Sequence, residues 1–138
     1  MGKITATIKV VNLKDEFLAS EGYIAPSQIR SVEAEAVADS GATRLCLKKG
    51  VIGQLGLPLL GERKAHTTNG VVTRKIYGGA HLFLLGRDAP VSVSEVSDDC
   101  PNLIGQIPLE ELDFVLALRR RQIIPNPAHN GEWQDEEY

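Results

Sequence analysis

The stretch Ala36-Val37-Ala38-Asp39-Ser40-Gly41-Ala42-Thr43 decides how the rest of the chain is read. It is entered by a strand: Val32, Ala34, Ala36 and Ala38 fall on one face and Glu33 and Glu35 on the other, the two-residue period of a half-buried strand. It then turns sharply, because Asp39 and Ser40 are short polar residues that hydrogen-bond nearby backbone, and Gly41 allows close backbone approach. A strand therefore delivers a carboxylate into a tight loop. Taken alone, Asp-Ser-Gly reads equally as a plain turn at a strand end, so its surroundings have to decide.

Outward from this stretch the pattern is mostly β. Ile4, Ala6, Ile8 and Val10 alternate with Thr5, Thr7 and Lys9 and predict a first strand over residues 3–11. Residues 12–28 hold no sustained period and include Gly22 and Pro26; they predict a long connection with one helical turn at 15–20. After the Asp39 loop, residues 44–47 read as a strand and 48–55 as a short helix stopped by Gly56 and Pro58. Asn69-Gly70, flanked by Thr67-Thr68 and Val71-Val72-Thr73, predicts a β-hairpin over 64–79. Residues 81–85 and 91–96 read as further strands separated by Gly86-Arg87-Asp88-Ala89-Pro90. Leu103-Ile104-Gly105 leads into a short helix around Pro108-Leu109-Glu110-Glu111-Leu112, with proline suited to a first turn. A closing hairpin over 114–118 and 122–124 turns at Arg119-Arg120-Arg121, a solvated turn on this reading. The organisation expected is one domain over residues 1–127, with its core at 30–125, and a flexible acidic tail over 128–138.

Composition narrows the classes of function. The 138 residues hold 43% apolar side chains, enough for one core without disulfides or metals. Fifteen Lys and Arg against eighteen Asp and Glu give a formal charge of -3, with the cations spread in pairs, which argues against a nucleic-acid surface. No apolar run approaches the roughly 18 residues of a membrane span, and the first residues alternate where an export signal would be apolar. Cys46 and Cys100 are too few for a disulfide framework and have no His or Cys neighbour at metal-ligand spacing. His66, His81 and His129 are scattered, so surface or hairpin positions are expected for them. These features predict a cytoplasmic protein with no cofactor, no metal, no nucleic-acid partner and no membrane partner.

In three places the chain resembles the retropepsin-like family, the dimeric aspartic proteases that include retroviral proteases and their cellular and prokaryotic relatives. Residues 36–43 resemble the family's catalytic loop, Leu103-Ile104-Gly105 its hydrophobic-hydrophobic-Gly loop, and residues 70–78 stand where its mobile flap stands. The order and approximate spacing extend over residues 30–125, and the closing 109–127 is similar to prokaryotic members. Ser40 replaces the threonine of many members, the connection over 12–28 is long, and the flap is poorer in glycine than in viral enzymes.

The resemblance implies a closed antiparallel β-barrel with one short C-terminal helix, assembled as a two-fold homodimer. It implies an aspartic endopeptidase that hydrolyses extended polypeptides. Because the chain holds a single Asp-Ser-Gly, two copies must supply the catalytic pair. Two Asp39 carboxylates brought together share one proton, the ionised one activating water and the protonated one polarising the scissile carbonyl. Ser40 and Gly41 would support the loop. Gly41, Ala42, Val71, Val72, Thr73 and Ile104 would contact substrate, and Leu103 and Gly105 would form the second loop. For Val71 and Val72 ordinary core packing is an equal reading. Two alternatives stand beside the protease: a catalytically silent module of the same fold that dimerises or binds peptides, and an unrelated small barrel in which Asp39 only caps a turn.

Overall fold

The computed structural model describes residues 3–137. Among the described residues there are nine strands: β1 (Thr5–Asn12), β2 (Ser31–Ala38), β3 (Leu45–Lys48), β4 (Leu59–Thr67), β5 (Gly70–Leu84), β6 (Arg87–Val96), β7 (Asn102–Ile104), β8 (Phe114–Ala117) and β9 (Gln122–Pro125). Helices α1 (Leu13–Ser20), α2 (Lys49–Leu55) and α3 (Gln106–Glu111) lie between them. Six strands pair in the order β1-β2-β7-β3-β6-β5, and β5 pairs back onto β1, so the sheet closes into a barrel. β4 pairs only with β5 and lies outside the ring.

The alternating apolar residues fill the barrel. Ile8, Leu45, Leu47, Leu82, Val93 and Ile104 have no accessible surface, and Val10 and Leu84 have almost none. Leu55, Leu112 and Phe114 join the same cluster from outside the ring. The expected period-two strands are therefore present, and the chain is mostly β.

The pairings are mostly antiparallel, as expected, with two parallel exceptions. β7 pairs parallel with β2 and antiparallel with β3, and β3 pairs parallel with β6. The reason is topological: the chain leaves β2 through the Asp39 loop into β3, and β7 returns later to fill the gap between them. A strand inserted between two antiparallel neighbours must run parallel to one of them.

Four further readings change. The resemblance implies one short helix, whereas the described residues form three: α2 and α3 where the residue pattern predicts short helices, and α1 as two turns where it predicts one. Asn12 caps α1, its Oδ1 accepting from the Asp15 amide at 3.0 Å, while Asp15 and Glu16 lie in the first turn. Those are ordinary helix-start signals, obscured by the lack of an apolar period inside α1. Residues 70–84 form one unbroken strand, because Gly78 and Gly79 are absorbed as a bulge, with Gly79 at φ +74°. The turn into β6 is only Leu85-Gly86, both at positive φ, and Pro90 sits within β6 opposite His81. The hairpin turn also shifts by one residue: Thr67 pairs with Gly70, leaving Thr68-Asn69 as the connection.

Residues expected as a flexible tail return to the domain. His129 is buried, with Nδ1 2.6 Å from Asp113 Oδ2, and Trp133 Nε1 donates to the Glu111 carbonyl at 3.1 Å. Arg87 donates to the Leu112, Asp113 and Gly131 carbonyls, and its guanidinium lies 4.8 Å from the Phe114 ring centroid and 5.7 Å from that of Trp133. Asp113 is held below the usual carboxylate range first by its hydrogen bond to His129, and His129 is raised first by Asp113 and then by Glu136. His129 thus departs from the surface position expected of it.

His81 ties α1 to the barrel. Its ring nitrogens lie 2.6 Å from Glu16 Oε1 and 2.7 Å from Asp88 Oδ2. Burial by itself would lower its pKa, but the hydrogen bonds to Asp88 and Glu16, with their charges, outweigh burial and raise it. A raised histidine stabilises the fold fully below its unfolded value of about 6.5, and that stabilisation fades as pH rises through the folded value. His81→Gln is therefore expected to lower the melting temperature by about 4 °C or less at pH 5.5, a clamp worth about 1 kcal/mol because both carboxylates are partly exposed. At pH 9 the difference should vanish. A pH-independent difference in thermal unfolding would show that the imidazolium is not the clamp.

Candidate active site

The Asp39 loop is held by backbone bonds on both sides. The Asp39 amide donates to the Ile104 carbonyl at 2.9 Å, extending the β2–β7 pairing into the loop by one residue. Inside the loop the Gly41 amide donates to Asp39 Oδ1 at 2.9 Å and the Ala42 amide to the Asp39 carbonyl at 3.1 Å. These bonds fix the direction of the carboxylate through one oxygen. No intrachain side-chain hydrogen bond or ion pair engages its other oxygen among the described residues, and the residue is exposed.

The far side of the loop is bolted to α3. A helix start leaves its first amides without intrahelical partners. Here the Gln106 amide donates to the Ala42 carbonyl at 2.8 Å and the Ile107 amide to the Thr43 carbonyl at 2.9 Å, while the next residue, Pro108, has no amide hydrogen. The Gly105 amide donates to the Arg44 carbonyl at 3.1 Å. A Cβ on Gly105 would stand 2.3 Å from the Arg44 carbonyl oxygen and 2.7 Å from that of Ala42. Glycine is thus required by close approach, its backbone being extended at φ -85°. Residues far apart in the chain, Asp39 to Arg44 and Ile104 to Ile107, form one rigid unit.

The sequence-predicted site residues fall into two groups. Asp39, Ser40, Gly41, Ala42, Leu103, Ile104 and Gly105 are brought together in that unit. Ser40 is exposed and its hydroxyl makes no intrachain hydrogen bond among the described residues; Ala42 is half-buried. Ile104, expected as a pocket wall, is corrected: its side chain is sealed in the core, and its service to the site is its carbonyl. Leu103 lies half-buried, paired with Val37 and Cys46.

Val71, Val72 and Thr73 form the second group, on the arm made by β4 and β5. Their cross-strand partners are His66, Ala65 and Lys64. Val71 is 55% exposed and Val72 half-buried, and neither belongs to the core cluster, so core packing is not their role. No hydrogen bond joins the arm to the Asp39 loop among the described residues.

Sequence reasoning passed over Cys46, half-buried on β3 between the two groups. Burial pushes its thiol up, Arg74 of the arm opposes that, Asp39 adds to it and Arg44 opposes it. The thiol is unpaired. No cluster of three His, Cys, Asp or Glu side chains is placed to hold a metal, and no helix is long and apolar enough to cross a membrane, among the described residues. No protein-family model matches the chain, and no curated protein matches it.

Proposed function

We propose that the chain is a retropepsin-like aspartic endopeptidase, active as a two-fold homodimer in the cytoplasm on extended polypeptide substrates. The observation that carries this reading is the bolted loop: one exposed carboxylate, fixed through a single oxygen, presented by a strand end that the 103–105 segment braces. A carboxylate kept only to cap a turn needs no such bracing from a strand distant in sequence.

Across the two-fold axis each chain contributes one Asp39. The ionised carboxylate accepts a proton from water as that water attacks the scissile carbonyl, and the protonated one donates toward the developing oxyanion. An extended substrate would add as a strand, its main chain satisfied by Gly41 and the arm, its alternate side chains read by pockets.

Ser40 tests the assembly. Its hydroxyl, without a partner inside the chain, is assigned to bridge the two loops of the dimer. Ser40→Ala should remove two symmetric bonds, each worth about 0.5 to 1.5 kcal/mol. Sedimentation should show a weaker dimer, and activity per subunit should be low in dilute solution and recover on concentration. Activity lost at every concentration, with stoichiometric labelling of Ser40 in the unsubstituted chain by a serine-directed phosphonate, would instead make Ser40 a nucleophile and end the aspartic reading.

A further inference from the structure

Where the arm leaves the barrel, Arg74 and Lys75 of β5 and Lys49 of α2 line a cleft of about 570 Å³ whose walls include Glu62 and Glu95. The charges in this cleft are not balanced internally. Glu62 stands directly opposite Lys75 on the β4–β5 pair, where opposite charges compensate each other. Glu95 is turned to the Tyr77 hydroxyl, which donates to it at 2.9 Å. Glu95 keeps its charge, so the cleft carries three cations against two carboxylates, an excess of one positive charge, and neither Arg74 nor Lys49 forms an ion pair among the described residues.

Arg74 is the more telling of the two. Its direct cross-strand partner is Arg63, a like-charge pairing that destabilises a sheet. Its side chain is also half-buried. A guanidinium held partly out of water, in a cleft with excess positive charge and with no carboxylate in ion-pair contact, suits an anion supplied from outside, because its planar fork matches a carboxylate with two parallel bonds.

We infer that this cleft receives an acidic side chain of the bound polypeptide, with Arg74 as the specificity-determining residue and Lys49 raising the local positive potential. The position relative to a cleaved bond rests on the protease reading above; the charge selectivity of binding does not. An extended peptide with side chains alternating to opposite faces offers one such group to the cleft.

The test runs in two arms. In the first, the full-length chain is given a peptide library at about 0.15 M salt and the cleavage products are sequenced by mass spectrometry. Asp and Glu should be enriched about tenfold over Asn and Gln at one fixed distance from the cut, the scale of one charge-assisted pair. Arg74→Gln should erase the enrichment, and Arg74→Glu should replace it with enrichment of Lys and Arg. The triple change of Arg119, Arg120 and Arg121 to Ala, which removes more charge elsewhere, should leave the preference in place. Cleavage without an acidic preference, or a preference that survives Arg74→Glu, overturns the inference while leaving the protease reading intact.

In the second arm, Asp39→Asn protein is titrated into fluorescein-labelled peptides that differ only by Glu or Gln at their centre. Tighter binding of the Glu peptide, reversed for a Lys peptide by Arg74→Glu, supports the cleft even if the unsubstituted chain cuts nothing. Equal binding of Glu and Gln peptides overturns it. Circular dichroism of each variant verifies that the substitution at Arg74 has left the barrel folded.

Discussion

Asp39→Asn is expected to lower kcat/KM for peptide cleavage by about 10³-fold or more. General acid–base catalysis by one positioned group contributes about 10² to 10⁴ in rate, and in a two-fold dimer this single substitution removes both members of the pair. The change is chosen for what it keeps. An asparagine Oδ1 still accepts the Gly41 amide bond, measured at 2.9 Å for the aspartate, so the loop retains its internal turn. The Ile104 carbonyl still receives the residue 39 amide. The variant should therefore melt and dimerise like the unsubstituted protein while neither activating water nor donating a proton to the carbonyl. A pepstatin-like transition-state analogue should bind the unsubstituted dimer well above the variant. Equal cleavage of a diverse peptide library by both proteins at mildly acidic pH would remove Asp39 from the mechanism, and absence of cleavage by either would favour the silent module.

The parts legible in the sequence are those written in short-range patterns. The alternation of Ile4 to Val10 and of Val32 to Ala38 yields β1 and β2 because burial on one face of a strand imposes a period of two. Gly56 ends α2 in the left-handed region at φ +63°, as a glycine stop should. What stayed hidden depends on contacts between distant residues. Nothing local in Asn102-Leu103-Ile104 says that it will run parallel to β2, since a three-residue strand has no direction in its pattern. The resemblance implies a substrate contact for Ile104, yet alternation with Leu103 turns its side chain into the core. The role of His129 needed its partner Asp113, a residue that becomes an anchor only once α3 has ended and the chain has folded back. Arg74 was read as half of a scattered basic pair; its like-charged partner Arg63 follows from the register of a hairpin whose turn lies one residue from where Asn69-Gly70 suggested.

Gly105→Ala is expected to cost about 10²-fold in activity without touching a group that reacts. The added methyl carbon would sit 2.3 Å from the Arg44 carbonyl oxygen, 2.7 Å from that of Ala42 and 2.8 Å from the Arg44 amide nitrogen. All three are backbone atoms, so no side chain can swing away, and either β7 or the Asp39 loop must move. Overpacking of this kind costs typically about 1 to 3 kcal/mol, enough to lower the melting temperature while leaving the barrel folded. The larger loss lies in geometry. Separating Gly105 from the loop weakens the bonds from Gly105, Gln106 and Ile107 to the Arg44, Ala42 and Thr43 carbonyls, which are the braces on the far side of Asp39. A displacement of about 1 Å at a catalytic group can cost about 10²-fold in rate, and here it would act on both halves of the pair. The expected signature is a fall of about 10²-fold in kcat with a smaller change in KM, together with faster hydrogen exchange at the Gln106 and Ile107 amides. Gly53→Ala, where no atom lies within 4 Å of the new methyl, serves as the control and should leave both measurements unchanged. If Gly105→Ala destabilised the protein yet kept full kcat, the bracing of the loop by the 103–105 segment would have no part in catalysis.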